Sequence, residues 1–126
     1  MNDKPVLTVA IIGASADRSK FGNQSVRAHL QSGYTVYPVN PKADEIEGLT
    51  VYRSLKDITL HETQQLTRVS MYVPPAVGMT LLQEIAEIGC DELWLNPGSE
   101  SPEMIAAAEA LGLNVIQACS IVNVQT

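Results

Sequence analysis

The chain has 126 residues, 45% of them hydrophobic and 17% charged, enough for one domain with a real core. Its net charge of −6 argues against a nucleic-acid partner, and no apolar run is long enough for a transmembrane helix. The first 68 residues carry all eight Lys and Arg against seven acids (+1), and the rest carries seven acids and no Lys or Arg (−7), so a phosphate site must draw its cations from the first half.

Leu7 to Ile12 is an apolar, β-branched run that ends at Gly13, the pattern of a strand buried on both faces. Helical character begins near Phe21-Gly22, carries Val26 and Leu30 on one stripe, and stops at Gly33. Thr35 to Val39 reads as a second strand closed by Pro41. Asp44 to Gly48 reads as an acidic turn, Val51-Tyr52 as a short extended piece, and Ser54 as the cap of a brief turn through Ile58.

Thr67 to Val73 is a third strand, stopped by Pro74-Pro75. Ala76 to Ile88 is the clearest helix, with Val77, Leu81, Leu82, Ile85 and Ile88 on one face and Gly89 at its end. Glu92 to Leu95 makes a fourth strand before the turn Asn96-Pro97-Gly98. Ser101-Pro102-Glu103 starts a helix that runs to Leu111, and Asn114 to Gln117 is the last strand. Strands and helices alternate through short connections, which predicts an α/β fold: three αβα layers around a five-stranded, mostly parallel sheet in a single domain over residues 1–126.

Ligands in such sheets bind beyond the carboxyl ends of the strands, where the winding reverses. Between the first strand and helix, Gly13 allows a tight turn, Ala14 a close backbone approach and Ser15 a hydroxyl, with Arg18 and Lys20 on the same loop. The full Gly-x-Gly-x-x-Gly fingerprint is absent. At the end of the second strand a dinucleotide site for NAD carries an acid; this chain has Asn40-Pro41-Lys42. A lysine there suits a ligand with an extra phosphate on its ribose, and NADP and coenzyme A both answer that description.

Tyr72-Val73-Pro74-Pro75 offers an apolar wall for an adenine or serves as a plain strand stop. Asn96 and its turn could meet an amide of the pantetheine arm. Trp94 reads as core or interface, and an apolar fourth-strand edge bearing it would support a homodimer. Glu100 reads as a helix-terminal charge, and His29 and His61 as structural or solvated. Cys119 falls at the crevice edge with no base in view, so no catalytic residue is assigned. Cys90 and Cys119 have no metal or disulfide spacing, and charged residues with Pro5 interrupt the N-terminus, so no signal peptide and a reduced, cytoplasmic setting are expected.

Val9 to Ser15, Gly33 to Lys42, Gly48-Leu49 and Tyr52-Arg53-Ser54-Leu55 together resemble the stand-alone CoA-binding domain family. Tyr72-Val73-Pro74-Pro75 is similar to the third-strand end of the N-terminal, CoA-binding domain of the succinyl-CoA synthetase α subunit, and Trp94-Leu95 and Cys119 continue the similarity. The resemblance implies a Rossmann-like domain that binds coenzyme A, and with the phosphate loop and Lys42 the leading expectation is a non-catalytic or regulatory protein whose small-molecule ligand is CoA or an acyl-CoA. Gly13, Ala14, Ser15, Arg18 and Lys20 would meet the phosphates; Val39, Asn40 and Lys42 would flank the adenosine and its 3′-phosphate; Val73 and Pro74 would line the adenine side, and Asn96 and Pro97 the pantetheine side. Two departures stand out: Gln117-Ala118-Cys119 replaces the Asp-Arg-Cys of many members, and the phosphate loop is longer than in the synthetase. The alternative expectation is a small NADP-linked reductase or an acyl-CoA-handling enzyme.

Overall fold

In chain order the elements are β1 (Thr8–Ile12), α1 (Phe21–Gln31), β2 (Thr35–Val39), β3 (Glu45–Ile46), β4 (Leu49–Thr50), a 3-10 turn (Leu55–Asp57), β5 (Leu66–Met71), α2 (Pro75–Met79), α3 (Leu82–Ile88), β6 (Cys90–Leu95), α4 (Pro102–Ala110), β7 (Val115–Ile116) and α5 (Ser120–Gln125). They come from a computed structural model that describes residues 6–58 and 65–126; His61 lies outside the described residues. Five strands form one sheet in the order β2-β1-β5-β6-β7, every pair parallel. The winding therefore reverses between β1 and β5, and the crevice belongs at their carboxyl ends.

A sixth position is occupied by one residue. Tyr52 bridges in parallel to Val39, donating its N–H to the Pro38 carbonyl at 2.9 Å and accepting from the Asn40 N–H at 2.9 Å. Counting Tyr52 as a vestigial third strand gives the Rossmann order 3-2-1-4-5-6.

The two faces of the sheet differ in chemistry. On one, Ala10, Ile12, Val69, Met71, Leu93 and Leu95 pack against Leu82 and Ile85 of α3 and Met104 and Ala108 of α4. Gly78 of α2 lets this layer close tightly, because a Cβ there would come within 2.7 Å of Met71 Sδ and 2.9 Å of Met104 Cε. On the other face a small apolar cluster of Val9, Ile11, Val26 and Val36 gives way to buried polar groups: Arg68 and Ser70 of β5, His29 of α1 and Ser120 of α5.

Four expectations change. The helix expected over 76–88 is broken after Met79, because Thr80 Oγ1 donates back to the Val77 carbonyl at 2.6 Å and Leu81 N–H bonds Gly78 three residues back. The acidic turn is a β3–β4 hairpin whose two loop residues, Glu47 and Gly48, have φ of 49° and 78°, as a primed turn requires. A fifth helix, α5, follows the last strand and is anchored by Ile121 and by Ser32 Oγ donating to the Val124 carbonyl at 3.0 Å. Trp94 is buried on β6, an interior strand between β5 and β7, so no fourth-strand edge exists to carry a homodimer. The Arg68 guanidinium lies 4.6 Å from the Trp94 ring centroid and pairs with Glu92 at 3.1 Å. No helix among the described residues is long and apolar enough to cross a membrane.

Candidate functional site

The carboxyl ends of β1, β2, β5 and β6 converge on a crevice with two lobes of ≈ 480 Å³ each. The first lobe is lined by Gly13, Ala14, Ser15, Ser19, Lys20, Phe21, Gly22, Asn40, Tyr72, Val73, Pro74, Pro97, Gly98 and Ser99. The second is more apolar and is lined by Ile12, Gly13, Val39, Asn40, Pro41, Arg53, Ser54, Leu55, Val73, Val77 and Leu81. Gly13, Asn40 and Val73 belong to both and form the waist between them.

Gly13 makes the turn at the waist. Its φ is +88°, and a Cβ would press on Val73 Cγ1 at 3.1 Å and the Tyr72 carbonyl at 3.2 Å. Gly22 brings helix and strand together, since a Cβ there would overlap the Gly13 carbonyl oxygen. That is the task of the last glycine in a dinucleotide fingerprint, performed here without the intervening one.

The loop between them is held from inside. Asp17 N–H donates to Ser15 Oγ at 3.0 Å, and the Asp17 carboxylate accepts from Ser19 N–H at 3.0 Å and Ser19 Oγ at 2.7 Å. Those Ser19 hydrogen bonds lower the Asp17 pKa below the ordinary carboxylate value. Buried Asn23 donates to the Ser15 carbonyl at 2.8 Å and to Glu47 at 3.1 Å, while its own carbonyl accepts from Arg27 Nε at 2.8 Å. The loop delivers the N-terminus of α1 to the first lobe with no side-chain cap and no acid in its first turn. An end of that kind favours anions. Lys20, at the cap position, adds a full charge and makes no ion pair among the described residues.

The crevice gathers nine of the twelve expected residues along its two lobes: Gly13, Ala14, Ser15, Lys20, Val39, Asn40, Val73, Pro74 and Pro97. Asn40 also ties β2 to the loop, donating to the Ala14 carbonyl at 2.8 Å. Three residues lie outside both lobes. Arg18 lines neither lobe and pairs with Glu47 at 3.6 Å. Lys42 lines neither lobe; its backbone N–H donates to Asn40 Oδ1 at 2.7 Å and its side chain is in solvent. Asn96 is 1% exposed, with both amide hydrogens committed inward, to Ser70 Oγ at 2.8 Å and the Met71 carbonyl at 2.9 Å, while its oxygen accepts from Ser120 N–H at 2.8 Å.

Other residues complete the lining. Phe21 stands exposed at the start of α1 and, with Tyr72, Asn96, Pro97 and Cys119, edges a side cavity of ≈ 80 Å³ next to the first lobe. Tyr72 shares a hydrogen bond with Ser120 Oγ at 2.9 Å, and burial pushes its phenol pKa up. Arg53, Ser54 and Leu55 reach the second lobe only because Tyr52 pairs with β2. Cys90 is outside the crevice, and burial pushes its thiol to about 11.

This geometry, a glycine turn and an uncapped helix end beside an apolar slot at a winding reversal, defines a nucleotide-site class of α/β domain. The model of the CoA binding domain matches residues 7–125, and the chain belongs to that family. An ADP-forming acetate–CoA ligase of Methanocaldococcus jannaschii is 33% identical over 82 residues, covering 65% of this chain and 11% of the ligase. The chain thus spans about a tenth of the length of the curated relatives it matches. Among solved structures, a conserved hypothetical protein from Pyrococcus furiosus superposes with a TM-score of 0.80 at 36% identity, covering 93% of this chain and 98% of that one. A dinucleotide-forming acetyl-coenzyme A synthetase 1 of Ca. Korarchaeum cryptofilum, in complex with phosphate and ADP, gives 0.73 at 27% identity over 88% of this chain and 25% of that one.

Proposed function

We propose that this chain binds coenzyme A or an acyl-CoA in the two-lobed crevice, as a non-catalytic or regulatory module. The observation that carries the reading is the division of the crevice at Gly13, Asn40 and Val73 into an apolar lobe and a lobe headed by a helix N-terminus. Coenzyme A has the same division, with a flat base at one end of a diphosphate. The adenine fits the second lobe against Val39, Leu55, Val73 and Val77. Burying about 100 Å² of ring there contributes roughly 2.5 kcal/mol. The diphosphate fits the Gly13–Ser15 turn, the free N–H groups of α1 and Lys20. The pantetheine arm then leaves past Pro97 toward Phe21.

Isothermal titration of the purified chain with CoA and acetyl-CoA tests this. The expected result is saturable binding that weakens in Lys20→Ala; absence of binding to both ligands overturns it. A second reading, an NADP-linked reductase, draws on the missing acid after β2, where Asn40-Pro41-Lys42 stands. Consumption of NADPH by the purified chain would be its evidence.

A further inference from the structure

The apolar lobe holds one arginine whose place the CoA reading leaves unexplained. Arg53 follows Tyr52, the residue that bridges to the end of β2, so it stands at the carboxyl end of the vestigial strand. Its Nη1 donates to the Pro41 carbonyl at 2.6 Å, which holds the guanidinium against the end of β2. In sheets of this order that end is where the ribose hydroxyls of an adenosine lie. Pro41 and Arg53 both line the lobe, whereas Lys42 does not.

The rest of the guanidinium is only loosely engaged. Nη2 faces Asp44 Oδ1 at 3.4 Å, a long contact, and the Asp44 side chain is 94% exposed. The Arg53 side chain is 65% exposed, so a ligand can reach it. A guanidinium offers five donors in a planar fork matched to phosphate oxygens, and the contacts described use two of them. A phosphate dianion arriving at this place would displace a single solvated carboxylate.

We infer that Arg53, held by the Pro41 carbonyl, reads a monophosphate on the ribose of the bound adenosine and exchanges its loose Asp44 contact for that phosphate. This rests on the proposed adenosine site and adds its specificity determinant. The ligand chemistry is a ribose phosphate ester, 3′ in coenzyme A and 2′ in NADP. Arg53, fixed on the lobe wall, makes the discrimination, and Lys42 adds only screened charge from solvent.

The test is isothermal titration of the wild type, Arg53→Ala, Lys42→Ala and Asp44→Asn against CoA, dephospho-CoA, NADP and NAD. The wild type is expected to prefer CoA over dephospho-CoA by about tenfold or more. Arg53→Ala should bring that ratio near one by weakening CoA alone, Lys42→Ala should keep most of it, and Asp44→Asn should tighten CoA while leaving dephospho-CoA unchanged. A preference for NADP over NAD that vanishes in Arg53→Ala would support the same role with the 2′ ester. No preference within either pair, CoA against dephospho-CoA or NADP against NAD, or a preference unchanged in Arg53→Ala, overturns the inference and leaves the CoA reading standing. Binding of none of the four nucleotides overturns both.

Discussion

Gly22→Ala puts one methyl group where the structure has no room. The new Cβ would overlap the carbonyl oxygen of Gly13 and come within 3.1 Å of its carbonyl carbon. Those atoms are backbone at the end of buried β1 and cannot rotate away, so α1 must move outward. Overpacking of this kind costs about 1–3 kcal/mol, and the better helix propensity of alanine returns up to about 1. A net loss of about 1–2 kcal/mol corresponds to a fall in Tm of roughly 3–10 °C for a domain of this size. The same shift pulls the N–H groups of α1 off the phosphate position, so CoA affinity should fall by about tenfold or more. Gly33→Ala is the control. Its φ of +89° imposes strain of about 1 kcal/mol, but it has open space around it and lies at the far end of α1. It should lower Tm and leave CoA affinity unchanged. Thermal unfolding followed by circular dichroism, with titration calorimetry on both variants, reads the two effects separately. A Gly22→Ala protein with wild-type Tm and affinity would refute the argument that this contact sets the loop.

His29 makes stability depend on pH. It is fully buried, its Nε2 has no partner among the described residues, and burial holds its pKa down at about 4 against an ordinary 6.5, with the Arg68 charge adding to the effect. The unfolded chain takes up the proton first, so stability contributed by neutral His29 is intact above pH 6.5 and is lost between 6.5 and about 4, roughly 3 kcal/mol in all. In urea denaturation the gap between wild type and His29→Gln should therefore narrow by that order from pH 7 to pH 4; a constant gap would contradict the assignment. Asn96→Ala should destabilise by about 2–4 kcal/mol, because it strips partners from Ser70, Met71 and the Ser120 N–H inside the fold. A denaturation midpoint within error of wild type would show that the network around Asn96 carries little.

The crevice was legible because its parts are local. A β-branched run, a glycine and a helix start follow one another from Val9 to Gly22, and each has a conformational reason independent of the rest of the chain. Arg18 and Asn96 lie outside the two lobes because of partners found far along the sequence. Arg18 is drawn away by Glu47, whose position depends on a hairpin loop with a non-glycine residue at positive φ. Asn96 turns inward because Ser70, Met71 and Ser120 surround it from two other elements. The α5 helix is rich in β-branched residues and has weak local preference, so its contact with α1 decides its form. Arg68 and Ser70 alternate on β5 and give one face of the sheet its buried polar groups, a short period-2 pattern that the apolar residues between them mask in the sequence.

Pro38 sits in β2 with its carbonyl turned outward to Tyr52, so its ring nitrogen points to that same outer side. Its missing N–H subtracts nothing from the ladder with β1 and removes a donor from the outer border of β2, one of the two edges of the sheet. With Tyr52 filling the adjoining place, this border resists growth by strand addition from a neighbouring molecule. Extension of the sheet by a further strand is thereby left to the β7 side.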